Sequence, residues 1–416
     1  MNLVEIIAIL CIIGGIIILV IGSRLASHND NFPKHTRKRN GKFAILIPAR
    51  DESLVIEGLL RSIKNQTRKV DMQDVYVIVE DKNDPTVAIT ERLGAEIIVR
   101  KRPDLKRKGY ALEEAIKAIL SSKKHYDAYF IMDADNILDP SFLAHMEETY
   151  IEGYDLGIGY RNCKNGSENV IAACSILTFT LINARGNKTK NRQSRNVVIS
   201  GTGFFIRGSL IEAWQGFPFH SLTEDYEMSL YAMEHNLTTF YNENAVFYDE
   251  QPVRYQQTVP QRIRWIRGFF DSRRNYIPRL RKQLTHWHTN WGSQLGEVIG
   301  INPYIMMVLG AGILILHHLY IFVTQFLFLD TLRLDSLITI AFILFIAYGI
   351  IAVMTAGLII KEKDRLNLTP AMKRKAIFFN PLFLATYIPC FMIALLKKEV
   401  TWDRINHTRT FIIKND

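Results

Sequence analysis

Tyr129-Phe130-Ile131-Met132-Asp133-Ala134-Asp135 is the stretch whose reading decides the fold. Tyr129–Met132 reads as a short buried strand, and the chain turns acidic at alternate positions just where that strand ends. The two aspartates are thereby delivered to its carboxyl end. Upstream, Phe43–Pro48 is an apolar run closed by proline, Val75–Val79 is a second buried strand and Ile97–Val99 a third. Between them Val55, Leu59, Leu60 and Ile63 fall at helical spacing, as do Leu112, Ala115, Ile116 and Ile119 within Tyr110–Leu120. Strands alternating with helices predict an α/β domain with a mostly parallel sheet, which takes ligands at the carboxyl ends of its strands.

The acids cluster at those ends. Asp133 and Asp135 have a spacing that lets two carboxylates meet one hard cation together with a diphosphate. A capped turn ahead of Pro140 explains the same pair when it stands alone. A calcium loop does not fit, because position six is not Gly and position twelve is Ala144. Glu80-Asp81 closes the second strand, either as a cap before Asn83-Asp84-Pro85 or as acceptors for a nucleobase or ribose. Thr223-Glu224-Asp225 opens the helical run Tyr226–His235. It reads as an N-cap followed by first-turn acids, or as a carboxylate held in a fixed frame to act as a base. Lys108-Gly109 starts a helix whose N-terminus suits phosphate, although Lys101 to Lys108 also reads as a solvated basic face. Gly201-Thr202-Gly203 is half of a dinucleotide fingerprint, with Ile206 where the third glycine belongs. Neither a P-loop nor an HExxH occurs.

Apolar residues make up 48% of the 416-residue chain but are unevenly spread. Leu3–Gly22, Tyr304–Phe328, Leu337–Ile360 and Ile377–Leu396 are each near membrane-spanning length. Arg24, Lys34, Arg37, Lys38 and Arg39 follow the first run, which places residue 1 outside and the domain after it in the cytoplasm. Lys361, Lys363, Arg365, Lys373, Arg374 and Lys375 form another basic cluster between two spans. The net charge of +10 therefore reflects membrane flanks, and no nucleic-acid partner is expected. The four cysteines include no CxxC pair and imply neither a disulfide framework nor a zinc site. Gln261–Trp265 lies in a basic amphipathic stretch where Ile263, Ile266, Phe269 and Phe270 interleave with Arg262, Arg264, Arg267, Arg273 and Arg274. An interfacial helix on anionic lipid is expected there. Trp265 is placed to stack on a sugar and an arginine to reach a phosphate.

In this order the motifs resemble those of the family-2 inverting glycosyltransferases of GT-A fold. More narrowly they resemble the membrane-embedded processive synthases of cellulose, hyaluronan, chitin and poly-N-acetylglucosamine. The likeness runs by motif from Phe43 to Phe270 and by architecture beyond it. It implies that Pro48 to Glu52 forms the first-strand motif, with Glu52 at the uracil, and that Glu80-Asp81 holds the uridine. It implies that Lys108 to Leu112 lies near the sugar diphosphate and that Asp133 and Asp135 bind Mg²⁺ or Mn²⁺. Gly201-Thr202-Gly203 becomes an acceptor-side loop and Asp225, beside Glu224, the general base. Gln261, Arg264 and Trp265 become the QxxRW set, with Trp265 on the acceptor and a basic residue on the diphosphate. The chain departs from the family pattern in carrying Glu rather than Asp at 80, Lys82-Asn83 in place of a glycine turn, and Asp51 where Asn is common.

The expected architecture is an α/β GT-A domain with an α-helical transmembrane region. The divisions are an N-terminal helix at 1–23, a cytoplasmic catalytic domain at 24–255, interfacial helices at 256–300, membrane segments at 301–398 and a tail at 399–416. The implied activity is inverting transfer from a nucleotide-diphosphate sugar, a UDP-sugar by resemblance, to a growing β-linked polysaccharide that is also exported. The implied setting is a bacterial plasma membrane, with membrane lipid as a partner. Single transfer to a lipid-linked acceptor is the alternative, and a non-catalytic transporter or sensor a weaker one. Trp402 and Thr408-Arg409 resemble a cytoplasmic tail, which conflicts with three full crossings after the catalytic domain. Pro381 and Pro389 point to a re-entrant or broken last segment.

Overall fold

The computed structural model describes residues 2–22, 36–37, 40–285, 291–299, 303–328, 334–397 and 400. Eight strands form one sheet: β1 Phe43–Pro48, β2 Val75–Val79, β3 Glu96–Val99, β4 Ala128–Ile131, β5 Ile137–Leu138, β6 Leu156–Cys163, β7 Phe204–Arg207 and β8 Thr239–Asp249. Their order is β3-β2-β1-β4-β7-β6-β8-β5. The β3-β2-β1-β4 half is parallel, β7 runs antiparallel to both neighbours, and β6 and β8 pair in parallel. This is the expected GT-A architecture.

The pleat explains why β1 reads as an unbroken apolar run. Ala44 and Leu46 enter one core with Leu112, Ile116 and Met228, while Phe43, Ile45 and Ile47 enter the other with Leu59, Leu60 and Met146. Each buried Leu or Ile there contributes roughly 1.5–3 kcal/mol of apolar transfer. The helix Lys108–Ser121 begins at Lys108, as expected, so Lys108 and Gly109 belong to its first turn. β6 and β8 were not evident in the sequence. Gly157 and Gly159 lie inside β6 because the Phe205 ring and the Ala245 carbonyl occupy the space a Cβ needs.

Among the described residues, four segments are long and apolar enough to cross a membrane: Val170–Arg192, Met306–Phe328, Asp335–Lys361 and Pro370–Leu396. Val170–Arg192 was not expected, and most of it is buried inside the protein. Leu3–Gly22 packs along Pro303–Phe328, where a Cβ on Gly310 would lie 2.6 Å from Ala8 O. The last segment is broken, as its prolines suggested. Helices Pro370–Ala385 and Tyr387–Leu396 meet at Thr386. Thr369 N donates to Ser167 Oγ at 2.7 Å, and Arg267 Nη1 donates to Lys397 O at 3.4 Å. One end thus meets the catalytic domain at Ser167 and the other the helix Tyr255–Gln283 at Arg267. Arg24, Lys34, Lys38, Arg39, Trp402, Thr408 and Arg409 lie outside the described residues. Arg37 is not a free membrane flank. It donates to the carbonyls of Tyr150, Gly153 and Tyr154 and pairs with Asp155.

Candidate active site

The strand ends gather the acids in one place. Asp133 follows β4 with its side chain 39% exposed, and Lys108 Nζ pairs with it while donating to Gly201 O at 2.7 Å. Asp135 is buried. Its Oδ2 accepts from Glu250 N at 2.7 Å and its Oδ1 from Asn136 Nδ2 at 3.3 Å, which orients the carboxylate from two sides. Thr202 is fully buried between Gly201 (φ +70°) and Gly203 (φ +69°), backbone that only glycine adopts readily. Thr202 Oγ1 donates to Asn136 Oδ1 at 2.5 Å and accepts from Asp133 N at 2.8 Å. The Gly201–Gly203 loop therefore clamps the Asp133–Asp135 turn.

Thr223-Glu224-Asp225 approaches from the neighbouring helix Glu224–Glu234. The capping explanation fails, because the Thr223 side chain makes no cap bond and its buried Oγ1 has no partner. Asp225 is half-buried, accepts from Tyr226 N at 2.8 Å, and has Oδ2 3.5 Å from where a Gly201 Cβ would stand. Burial raises its carboxyl above the usual range, offset in part by the Tyr226 N–H, Lys108 and Arg264. Glu224 is buried at 6% exposure, and burial together with the adjacent Asp225 pushes it up to about 7. Arg264 faces Glu224, Asp225 and Asp133 and is lowered by burial, while its Nη1 donates to Leu222 O at 3.2 Å. The site thus holds a carboxylate base candidate flanked by two cations and opposite a pair of hard oxygen ligands.

Gln261, Arg264 and Trp265 all lie on the long helix Tyr255–Gln283. Gly268 docks this helix onto the turn Thr223-Glu224-Asp225, since a Cβ there would lie 2.6 Å from Thr223 Cγ2. Trp265 is half-buried and meets Phe179 edge-on with centroids 5.4 Å apart; Gln261 is half-buried.

On the other flank, Pro48 pairs with Ile78 at the end of β1. Glu80 is held by Arg50 at 3.0 Å and the buried Arg100 at 3.5 Å, two partners the sequence reading missed. Asp81 Oδ1 accepts from Asn83 N at 2.9 Å, so the turn reading accounts for that oxygen. Glu52 N donates to Thr86 Oγ1 and Asp51 N to Asp84 Oδ2. Asp51 has φ +52°, a left-handed position that Asn and Asp tolerate, which explains how Asp stands where Asn is common. Gly109 lies against the Phe219 carbonyl, which leaves no room for a larger residue at that helix start. Among the described residues no three His, Cys, Asp or Glu converge as a metal cage.

The fold is that of a GT-A α/β domain. The chain belongs to glycosyl transferase family group 2, whose profile matches residues 130–360, and the glycosyl transferase family 2 profile matches 44–214. It is 27% identical over 262 residues to the probable glycosyltransferase YdaM of Bacillus subtilis (strain 168), covering 57% of this chain and 58% of that protein. The chain thus spans little more than half of that relative. Among solved structures it is similar to the mannosyltransferase PcManGT of Pyrobaculum calidifontis, in complex with GDP-Man and Mn²⁺. That likeness has a TM-score of 0.56 and 14% identity, and covers 95% of this chain and 100% of that one. It bears on the fold alone.

Proposed function

We propose that the protein transfers a sugar from a nucleotide-diphosphate donor, with UDP-sugars the first to test, onto a growing β-linked glycan at the membrane surface. The carrying observation is Asp225, half-buried, with a raised proton affinity and facing Gly201 across from Asp133. Asp225 takes the proton of the acceptor hydroxyl as that oxygen attacks the anomeric carbon from the face opposite the diphosphate. One displacement inverts the anomer. Lys108 and Arg264 hold diphosphate oxygens, and Pro48, Glu52, Glu80 and Asp81 line the nucleoside side. Gly201-Thr202-Gly203, Gln261 and Trp265 line the acceptor side. Glu224, partly protonated near neutrality, limits repulsion on Asp225. The two carboxylates of Asp133 and Asp135 fit a small hard divalent ion completed by donor oxygens, and Mn²⁺ or Mg²⁺ bound there neutralises the leaving diphosphate.

Transfer to a lipid-linked acceptor is the second reading. Few residues of Met306–Phe328 and Asp335–Lys361 are buried within the protein, which leaves faces of these helices open to lipid and to a lipid-linked acceptor. The family membership supports either reading over a transporter or sensor. The test is purified protein in lipid nanodiscs with a panel of UDP- and GDP-sugars, the products being sized by mass spectrometry. A ladder of sugars supports the synthase and one sugar on a lipid supports single transfer. Consumption of no donor contradicts both.

A further inference from the structure

Arg262 stands inside the Gln261–Trp265 stretch, yet the transfer chemistry does not use it. It is only 1% exposed. Its guanidinium lies 3.9 Å over the Phe383 ring and 4.3 Å over the Tyr387 ring, with Tyr255 at 5.9 Å. Nη1 donates to Thr386 Oγ1 at 2.7 Å, and Nη2 is buried without a partner. No carboxylate among the described residues pairs with it. Burying a cation without a counter-ion is costly, and aromatic faces offset only part of that cost.

The position of the guanidinium says what this arrangement fixes. Thr386 is the break between the two helices of the last apolar segment. Two residues beyond Arg262, Arg264 donates to Leu222 O just ahead of Thr223-Glu224-Asp225, and Gly268 abuts Thr223. The helix Tyr255–Gln283 therefore grips the membrane segment on one side and the base-bearing turn on another. We propose that Arg262 is a positioning residue for transfer. It locks the break at Thr386 to the helix carrying Arg264 and Trp265, and so sets the acceptor side of the site. This rests on the glycosyl-transfer reading above. Most of the donor side, on β2, β4 and the Lys108 helix, is built from other elements, and Arg264, which Leu222 O also holds, is its one contribution from this helix. Loss of the lock misplaces the acceptor and leaves most of the donor's contacts in place. A displacement of about 1 Å costs on the order of 10²-fold in rate.

The test compares wild type, R262K, R262M and T386V in nanodiscs containing a bacterial lipid extract. Each receives UDP-glucose, UDP-N-acetylglucosamine and GDP-mannose, and sugar transferred and donor lost to water are measured separately. R262M is expected to lose transfer on the order of 10²-fold while donor KM and hydrolysis persist. R262K, which keeps a charge over the rings, recovers most of the loss. T386V leaves Arg262 in place, lowers the same ratio by less, and decides the matter if R262M does not fold. An unchanged ratio of transfer to hydrolysis in these variants overturns the proposal. So does hydrolysis that falls in step with transfer, or a lysine that rescues nothing. A wild type that consumes no donor defeats the transfer reading instead.

Discussion

Replacing Asp225 by Asn removes the proposed base with little change in shape. The amide oxygen still accepts from Tyr226 N, a 2.8 Å bond in the wild type, so the start of helix Glu224–Glu234 is kept. Loss of a positioned base costs about 10²–10⁴-fold in turnover. Donor affinity is expected to hold, because Lys108, Asp133 and Glu80 are untouched. The wild-type rate falls as pH drops through the raised Asp225 titration, and D225N loses that limb. The neighbour supplies a second readout. Glu224 sits at about 7 against an ordinary 4.5, so folding favours its protonated form. That stability is complete below pH 4.5 and is lost as pH rises through 7, a change of up to about 3 kcal/mol for a shift of this size. D225N removes one source of the shift and flattens the decline. Nucleotide release gives turnover, calorimetry gives donor affinity, and thermal melts from pH 4 to 8 give the linkage. Unchanged turnover, or weakened donor binding at unchanged turnover, refutes Asp225 as the base.

Four further outcomes are expected. Thr202→Val removes both bonds of the Thr202 hydroxyl and leaves the longer Asp133 N to Asn136 Oδ1 bond at 3.2 Å to hold the turn; it costs about 1–3 kcal/mol, read as a lower melting temperature and weaker Mn²⁺-dependent donor binding. Gly268→Ala forces the Gln261–Trp265 helix off Thr223, an overpacking of about 1–3 kcal/mol; transfer should fall more than donor hydrolysis when both are assayed. Asp135→Ala, or excess EDTA on the wild type, abolishes turnover, and full activity in EDTA contradicts the metal assignment. A cysteine replacing the exposed Lys42, in a background without the four native cysteines, is shielded from an impermeant thiol reagent in intact cells. Ready labelling reverses the proposed cytoplasmic orientation.

β1, β2 and β4 are legible in the sequence because both of their faces are buried, which makes each a short unbroken apolar run between turn residues. β6 and β8 are not. Glycines admit Phe205 and Ala245 into β6, and the register between the two shifts after Gly159, so no alternation survives to be read. The acids were visible as types at strand ends. Their second layer was not, since it is set by contacts across the chain. Thr202 acts through Asn136, and Arg50 and Arg100 converge on Glu80. Gly268 carried a usable signal, a glycine amid a basic helix that had to mark close packing. The broken last segment was foreshadowed by Pro381 and Pro389, but the break falls at Thr386, where Arg262 binds.

The most direct test of the account is the anomeric configuration of the first linkage made from an α-linked nucleotide sugar, read by NMR on product from nanodisc-embedded enzyme. A single displacement assisted by Asp225 predicts a β-linkage throughout. An α-linkage would require a second displacement or a different attacking face, and would contradict the mechanism drawn from this site.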